Sequence, residues 1–414
     1  NLLPPWNSLT PFTPPRDCRY GVIDEPERIR KMNHPEPKNP DNPGNRMPTV
    51  AIYGYFAYGN FGDDLMAIIF GAHARQLGYR VKVYKLCAAY AGWAGLEVVH
   101  SLSELTDGVE IVVLASGSLL VSSLSSQTFG ISKKLSANLA LGDQEFAELI
   151  ELSRRRDVPL CTLSIGGDDK SDGDLPSIKH QLLRACIYAS VRNPQDVPRV
   201  RQINIPCDYY PDVVWQASAL IPIEKTPPSE RLRIGVDLYW SNLLRQGALY
   251  LPFLLYLVVI LRRDVDFVFI DTTNLSAEKF RAVQPPFELR NVSRYQFQTP
   301  FKDLQLAASL DLVLSSRIHL GIACMSYGVP FLSLFGESKT RLFLQNIGLS
   351  YCIIRHRKLI GFLWLLLRPR RLRQFLREFR IPGRDDLVAQ SRGHLNKLTS
   401  ILEELKSETW PHRS

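Results

Sequence analysis

No two of the seven cysteines stand in a C-x-x-C pair, and an odd number suits no complete disulfide framework. Several fall in apolar runs, which reads as buried thiols in a reducing compartment. Nowhere does an apolar run reach the ~18 residues of a membrane-crossing helix, so the expected location is cytoplasmic, at most peripheral at a membrane. The opening "NLLPPWNSLTPFTPP" lacks the charged and apolar regions of a signal peptide. Walker A, H-E-x-x-H and G-x-S-x-G sequences are absent, which removes motif support for P-loop kinases, zinc proteases and esterases. Zinc-finger spacing and interleaved basic and aromatic residues are missing too, so no nucleic-acid partner is expected.

What is present suits an enzyme-sized α/β protein. The 414 residues are too many for one ordinary core and fit two domains. A formal net charge of +9 and a pI near 9.2 favour anionic partners such as phosphates, acidic polymers or a lipid surface. Residues 1 to 47 are dense in proline and read as an extended arm. From Thr49, β-rich runs alternate with helical stretches: "TVAIYGY", "VKVYKL", "EIVVLAS", "PLCTLSIGG" and "IYASVR". A second series runs through "RIGVDLYW", "VDFVFIDTT", "LDLVLSS", "VPFLSLFG" and "YCII". This alternation predicts βαβ units on parallel sheets. A proline cluster at 222 to 228 separates two Rossmann-like domains, 48 to 222 and 229 to 354, facing a cleft. Residues 355 to 414 form a basic helical tail. Within it, "RHRKLIGFLWLLLRPRRLRQFLREFR" (355 to 380) fits contact with an anionic membrane, or, more plainly, a helix packed on its own domain with a basic outer face.

Three clusters carry candidate chemistry. In "GYFAYGNFGDDLM", Gly54, Gly59 and Gly62 permit a tight loop between a strand and a helix, and Asn60 tolerates the same backbone. Asp63 and Asp64 follow at the helix start, where negative charge is favoured as a simple cap. In "SSRIHLGIACMSYGVPFLSLFG", Arg317 and His319 leave the carboxyl end of a strand on one side. One is a fork-shaped anion donor and the other moves protons near neutral pH, unless both are satisfied structurally. Arg192, in "SVRNPQDVPRV", stands at another strand end, while Asp212 of "YPDVVW" reads as a turn and cap residue. Lys339 lies beyond a further strand end. "LSIGGDDKSDGD" (163 to 174) suits a flexible loop, and its aspartates lack an EF-hand spacing.

Taken together, these segments resemble the polysaccharide pyruvyl transferase family. "GYFAYGNFGDDLM" is similar to its N-terminal Gly-Asn-x-Gly-Asp-Glu stretch, and "SVRNPQDVPRV" with "YPDVVW" to its arginine-bearing centre. "DLVLSSRIHLGIACMSYGVPFLSLFGESKTRLFLQNIGL" is similar to its C-terminal block. The resemblance implies a glycosyltransferase-B-like architecture and transfer of a pyruvyl group from phosphoenolpyruvate to sugar hydroxyls, with no cofactor or metal. By the same resemblance Arg192, Arg317 and Lys339 bind the donor and His319 and Asp63 are catalytic. Gly59, Asn60, Gly62 and Asp64 then serve the saccharide acceptor. One departure stands out: "ASGSLL" keeps only Gly117 where the family has a run of glycines. Two alternatives follow, a nucleotide-sugar glycosyltransferase of the same architecture and a catalytically silent glycan-binding member.

Overall fold

The computed structural model describes residues 47–56, 60–115, 117, 119–120, 133–167, 177–223, 231–272 and 282–407. Most of the proline-rich arm, Gly59 and the loop at 168–174 lie outside the described residues. The chain forms two parallel sheets. The first contains β1 (Thr49–Tyr53), β2 (Arg80–Tyr84), β3 (Glu97–Val99), β4 (Ile111–Leu114), β5 (Leu160–Ile165), β6 (Cys186–Val191) and β7 (Cys207–Tyr209). The second contains β8 (Leu232–Asp237), β9 (Val265–Asp271), β10 (Val292–Gln296), β11 (Leu312–Ser315), β12 (Phe331–Leu334) and β13 (Ile353–Ile354). Every run named from the sequence is one of these strands. The three that escaped notice are β3, β7 and β10, which are short or, like "VSRYQ", polar along a half-exposed edge.

Strand order is β3-β2-β1-β4-β5-β6-β7 in one sheet and β10-β9-β8-β11-β12-β13 in the other. In each, the first strand pairs with strands whose connections leave in opposite directions: β1 with β2 and β4, β8 with β9 and β11. The loops after β1 and β4, and after β8 and β11, therefore diverge and open a crevice at the carboxyl ends. Central strands such as "TVAIY" and "LVLS" are buried throughout, because helices cover both faces of a parallel sheet. This is the two-domain arrangement that the alternation of elements implied, in the glycosyltransferase-B-like form that the family resemblance implied.

Helix α1 (Phe61–Gln76) links the halves. Thirteen of its sixteen residues are buried, too many for a helix covering only one sheet, and the second domain closes over its start. There Phe61 N–H donates to the Thr272 carbonyl at 3.2 Å and its ring lies 4.4 Å from that of Phe297. In the second domain, α2 (Leu251–Leu261) flanks the sheet, and α3 (Ile318–Ser326) follows β11 with every residue buried. The tail does not act as one piece. Its first helices, α4 (His356–Leu367) and α5 (Pro369–Glu378), belong to the second domain, whereas α6 (Gly393–Lys406) returns to the first. His394 is wholly buried there, with Nδ1 2.7 Å from Ser190 Oγ and Nε2 3.1 Å from the Pro211 carbonyl. Burial holds its imidazole down to about 4.

Candidate active site

Arg192 leaves β6, Asp212 follows β7 and His319 lies in the first turn of α3, so three strand ends converge on one buried cluster. Arg192 Nη1 donates to Asp212 Oδ2 at 2.8 Å and to His319 Nε2 at 2.7 Å, across the domain boundary. A guanidinium only donates, so this Nε2 carries no proton and the neutral ring holds its proton on Nδ1. Asp212 Oδ2 is 3.5 Å from the same Nε2, while Oδ1 accepts from Val214 N–H at 3.0 Å. Burial alone would raise the Asp212 carboxyl. The Arg192 charge, helped by the Val214 N–H, outweighs it and holds the group well below the carboxylate range.

Glycine makes room for these side chains. A Cβ on Gly117 would sit 2.6 Å from Arg192 Nη1, and one on Gly166 2.6 Å from its Nε. Gly62, at the start of α1, lies against the His319 ring. The Gly117 that "ASGSLL" retains is therefore the glycine that Arg192 needs.

Arg317 builds the other half. Ser315 Oγ accepts from the Arg317 backbone N–H at 2.9 Å, fixing the turn between β11 and α3. Its guanidinium lies 4.0 Å from the centre of the Tyr239 ring, and Nη1 donates to Asn60 Oδ1 at 2.8 Å. Asn60 Nδ2 in turn donates to Asp63 Oδ2 at 2.6 Å. Among the described residues Asn60 is the guanidinium's hydrogen-bond acceptor, so most of its donors are unspent. Beneath, Asp237 at the end of β8 is fully buried and accepts from Ser315 Oγ at 2.7 Å. Burial pushes its carboxyl up to about 6, against the opposing pull of Arg317.

The expected residues fare differently. Arg192, Arg317, His319, Asn60, Gly62 and Asp63 gather at the crevice. Lys339 ion-pairs with Glu337 at 3.4 Å, and Glu337 also binds Arg245 at 2.6 Å. Burial would raise Glu337, but the charges of Lys339, Arg245 and Arg317 bring it down to about 2. Asp64, expected on the acceptor side, lies deeper: it is wholly buried, and neither carboxylate oxygen has a hydrogen-bond partner among the described residues. Its carboxyl is raised well above the ordinary range by burial, then by Asp63 and Asp303. Asp212 was legible only as a cap, because nothing local announces an arginine twenty residues earlier. Asp237 and Tyr239 were within "RIGVDLYW", and the signal that finds them is position at the end of the first strand of a sheet.

A family model described as polysaccharide pyruvyl transferase matches residues 60–334, well over half of the chain. No curated protein matches significantly. Among solved structures, a putative UDP-N-acetylglucosamine 2-epimerase from Listeria monocytogenes has a TM-score of 0.56 at 11% identity, covering 88% of this chain and 100% of that one. The UDP co-structure of MnaA from S. aureus has a TM-score of 0.57 at 10% identity, over 86% of this chain and 97% of that one. UDP-GlcNAc 2-epimerase from Methanocaldococcus jannaschii gives 0.53 at 9%, over 86% and 100%. At such identities the likeness is one of fold.

Proposed function

We propose, from the premise that the chain belongs to the polysaccharide pyruvyl transferase family, that it moves the pyruvyl group of phosphoenolpyruvate onto hydroxyls of a glycan or lipid-linked saccharide as a ketal. A proton adds to the methylene carbon of the enol, one sugar hydroxyl bonds to the carbon bearing the phosphate, and a second displaces phosphate. The two hydroxyl protons balance the one gained by carbon and the one leaving with phosphate.

The observation that carries this reading is Arg317, a guanidinium with unspent donors beside a buried arginine–histidine pair from two domains. Phosphoenolpyruvate presents a phosphate and a carboxylate, both suited to such forks. In the proposal Arg317 and Arg192 take these anions, with Lys339 nearby. An anion accepting from Arg192 releases His319 Nε2, which then gains a proton to deliver to the enol carbon or to the departing phosphate. Asp63, already oriented by Asn60, orients the acceptor hydroxyl, and Asn60 and Gly62 form the acceptor-side loop. No cofactor or metal is needed for this sequence.

The test is thermal stabilisation by phosphoenolpyruvate, beside uridine and guanosine diphosphates, for the wild type and Arg317→Ala. At ~100 times its dissociation constant a ligand adds about 2.7 kcal/mol. A shift with phosphoenolpyruvate that Arg317→Ala removes supports the reading. A shift with a nucleotide instead points to a glycosyltransferase, and none at all to a silent glycan-binding member.

A further inference from the structure

Helix α2 reads "LPFLLYLVVIL", eleven residues without a charge. A helix on a protein surface ordinarily turns polar residues outward. Here the inner face, with Leu251, Leu255, Val258 and Val259, is buried, and the outer face is equally apolar. Phe253 is 69% exposed, Leu257 47%, Ile260 42% and Leu261 60%. Their spacing of four, three and one residues puts them on one stripe. Helix α4 repeats the pattern: Leu359, Phe362 and Leu366 face the core, while Ile360, Trp364 and Leu367 line the outside at i, i+4 and i+7.

The two stripes form one ledge. Tyr250 Oη is 2.6 Å from His356 Nδ1 where both helices begin, and Arg262 Nη1 donates to the Leu366 carbonyl where both end. The helices are thus pinned side by side and parallel, and their inner faces enter the same core. A dense positive charge borders the ledge. Residues 355 to 380 hold nine arginines and lysines and one glutamate, a net +8 of the chain's formal +9. The Arg368 guanidinium lies 4.3 Å from the Trp364 ring centre, and α5 exposes Arg370, Arg371 and Arg377 beyond it.

We infer that this ledge and its arginines seat the protein on the surface of an anionic lipid bilayer. Apolar side chains that enter the acyl boundary, a tryptophan at headgroup depth and flanking arginines are what an interfacial helix pair needs. Among the described residues no helix is long and apolar enough to cross a membrane, so the contact is peripheral. A nucleic acid would satisfy the arginines and leave the leucines in water. A second copy of the same face would cover the leucines and bring two cationic clusters together. An anionic bilayer satisfies both halves of the surface.

The ledge also starts near the crevice. Trp240 and Leu244, both exposed, lie on the helix that follows β8 and Tyr239, and Arg245 of that helix binds the Glu337 that pairs with Lys339. If the acceptor is lipid-linked, a point that rests on the reading above, docking here brings its sugar beside the cleft.

Cosedimentation of the full chain with sucrose-loaded vesicles tests the docking without any substrate. Binding is expected to phosphatidylcholine mixed with phosphatidylglycerol, to weaken as salt rises, and to be slight with phosphatidylcholine alone. Phe253→Ser with Trp364→Ser, and separately Arg370→Glu with Arg371→Glu, should each weaken it roughly tenfold or more, with unchanged melting. Absence of binding to anionic vesicles overturns the inference, as does full binding by either double variant. So does a wild-type dimer, seen by sedimentation velocity, that the serine variant dissociates while vesicle binding stays absent; the face then joins two copies. Because no turnover is read, docking and pyruvyl transfer succeed or fail independently.

Discussion

Gly62 and His319 touch across the two domains so closely that a Cβ on the glycine would stand 1.8 Å from the imidazole Nδ1. Ordinary packing stops well short of that distance, so a single methyl group must either push the ring away or part the domains. Gly62→Ala should therefore lower kcat/KM by roughly 10²-fold, the scale of an ångström-sized misplacement of a reacting group. Steady-state kinetics with a melting curve checks it. A variant that melts earlier but turns over normally would show that His319 is only packed there.

Arg192 and Asp212 form a buried ion pair, 3% and 1% exposed at the side chain. Removing one member strands the other, and Arg192→Ala should cost about 3–5 kcal/mol of stability. Adding Asp212→Asn should recover much of that cost, since the stranded charge is gone, without restoring phosphoenolpyruvate binding. Denaturant unfolding and ligand-induced thermal shifts on the single and double variants separate the two effects. If the double variant regains the shift, Arg192 is structural and not a donor contact.

Arg317 gives the contrasting case, because its half-buried guanidinium spends one hydrogen bond on Asn60 and stacks on Tyr239. Arg317→Lys keeps the charge and loses the fork and the planar stacking. It should weaken phosphoenolpyruvate binding roughly tenfold or more while leaving the melting point of the free protein nearly unchanged. Calorimetric titration reads the first and a melting scan the second. Equal affinity for lysine and arginine would rule out bidentate recognition.

Strands and the two-sheet architecture were legible because buried parallel strands are continuous apolar runs, and "TVAIY", "IVVL" and "LVLS" are short for a buried helix. Arg192, Arg317 and His319 were legible because each follows such a run, at the carboxyl end where crevices form. Asp212 and Asp237 were not, since what gives them meaning is a partner supplied by the tertiary fold. The tail shows the same limit. Its basic face was visible in the sequence, but the return of α6 to the first domain rests on contacts such as His394 with Ser190, two hundred residues apart. The apolar outer face of α2 was hidden too, because a helix apolar all round reads as buried.

The buried acids Asp64 and Asp303 lie on helices of opposite domains, and they should make stability depend on pH. Asp303 accepts from the Tyr90 hydroxyl, from Tyr295 Oη at 2.8 Å and from Gln298 N–H at 2.9 Å. Burial still lifts its carboxyl to about 7, and Asp64 is raised as well. An unfolded aspartate titrates near ~3.9, so the fold prefers the protonated form of both groups. Their contribution is fully present below the unfolded value and is lost as pH rises through the folded one. Asp212, held low by Arg192, has the opposite sign and loses its contribution as pH falls. Asp303→Asn removes the titration and keeps an acceptor oxygen for Tyr295 and the Gln298 N–H, while its amide nitrogen turns to Tyr90, whose hydroxyl oxygen then accepts. It should gain stability over wild type at about pH 8 and gain little at about pH 5, with Asp64→Asn behaving alike. Melting curves of the three proteins at both values decide the matter. A difference from wild type that is the same at both would mean that neither carboxyl titrates in this window.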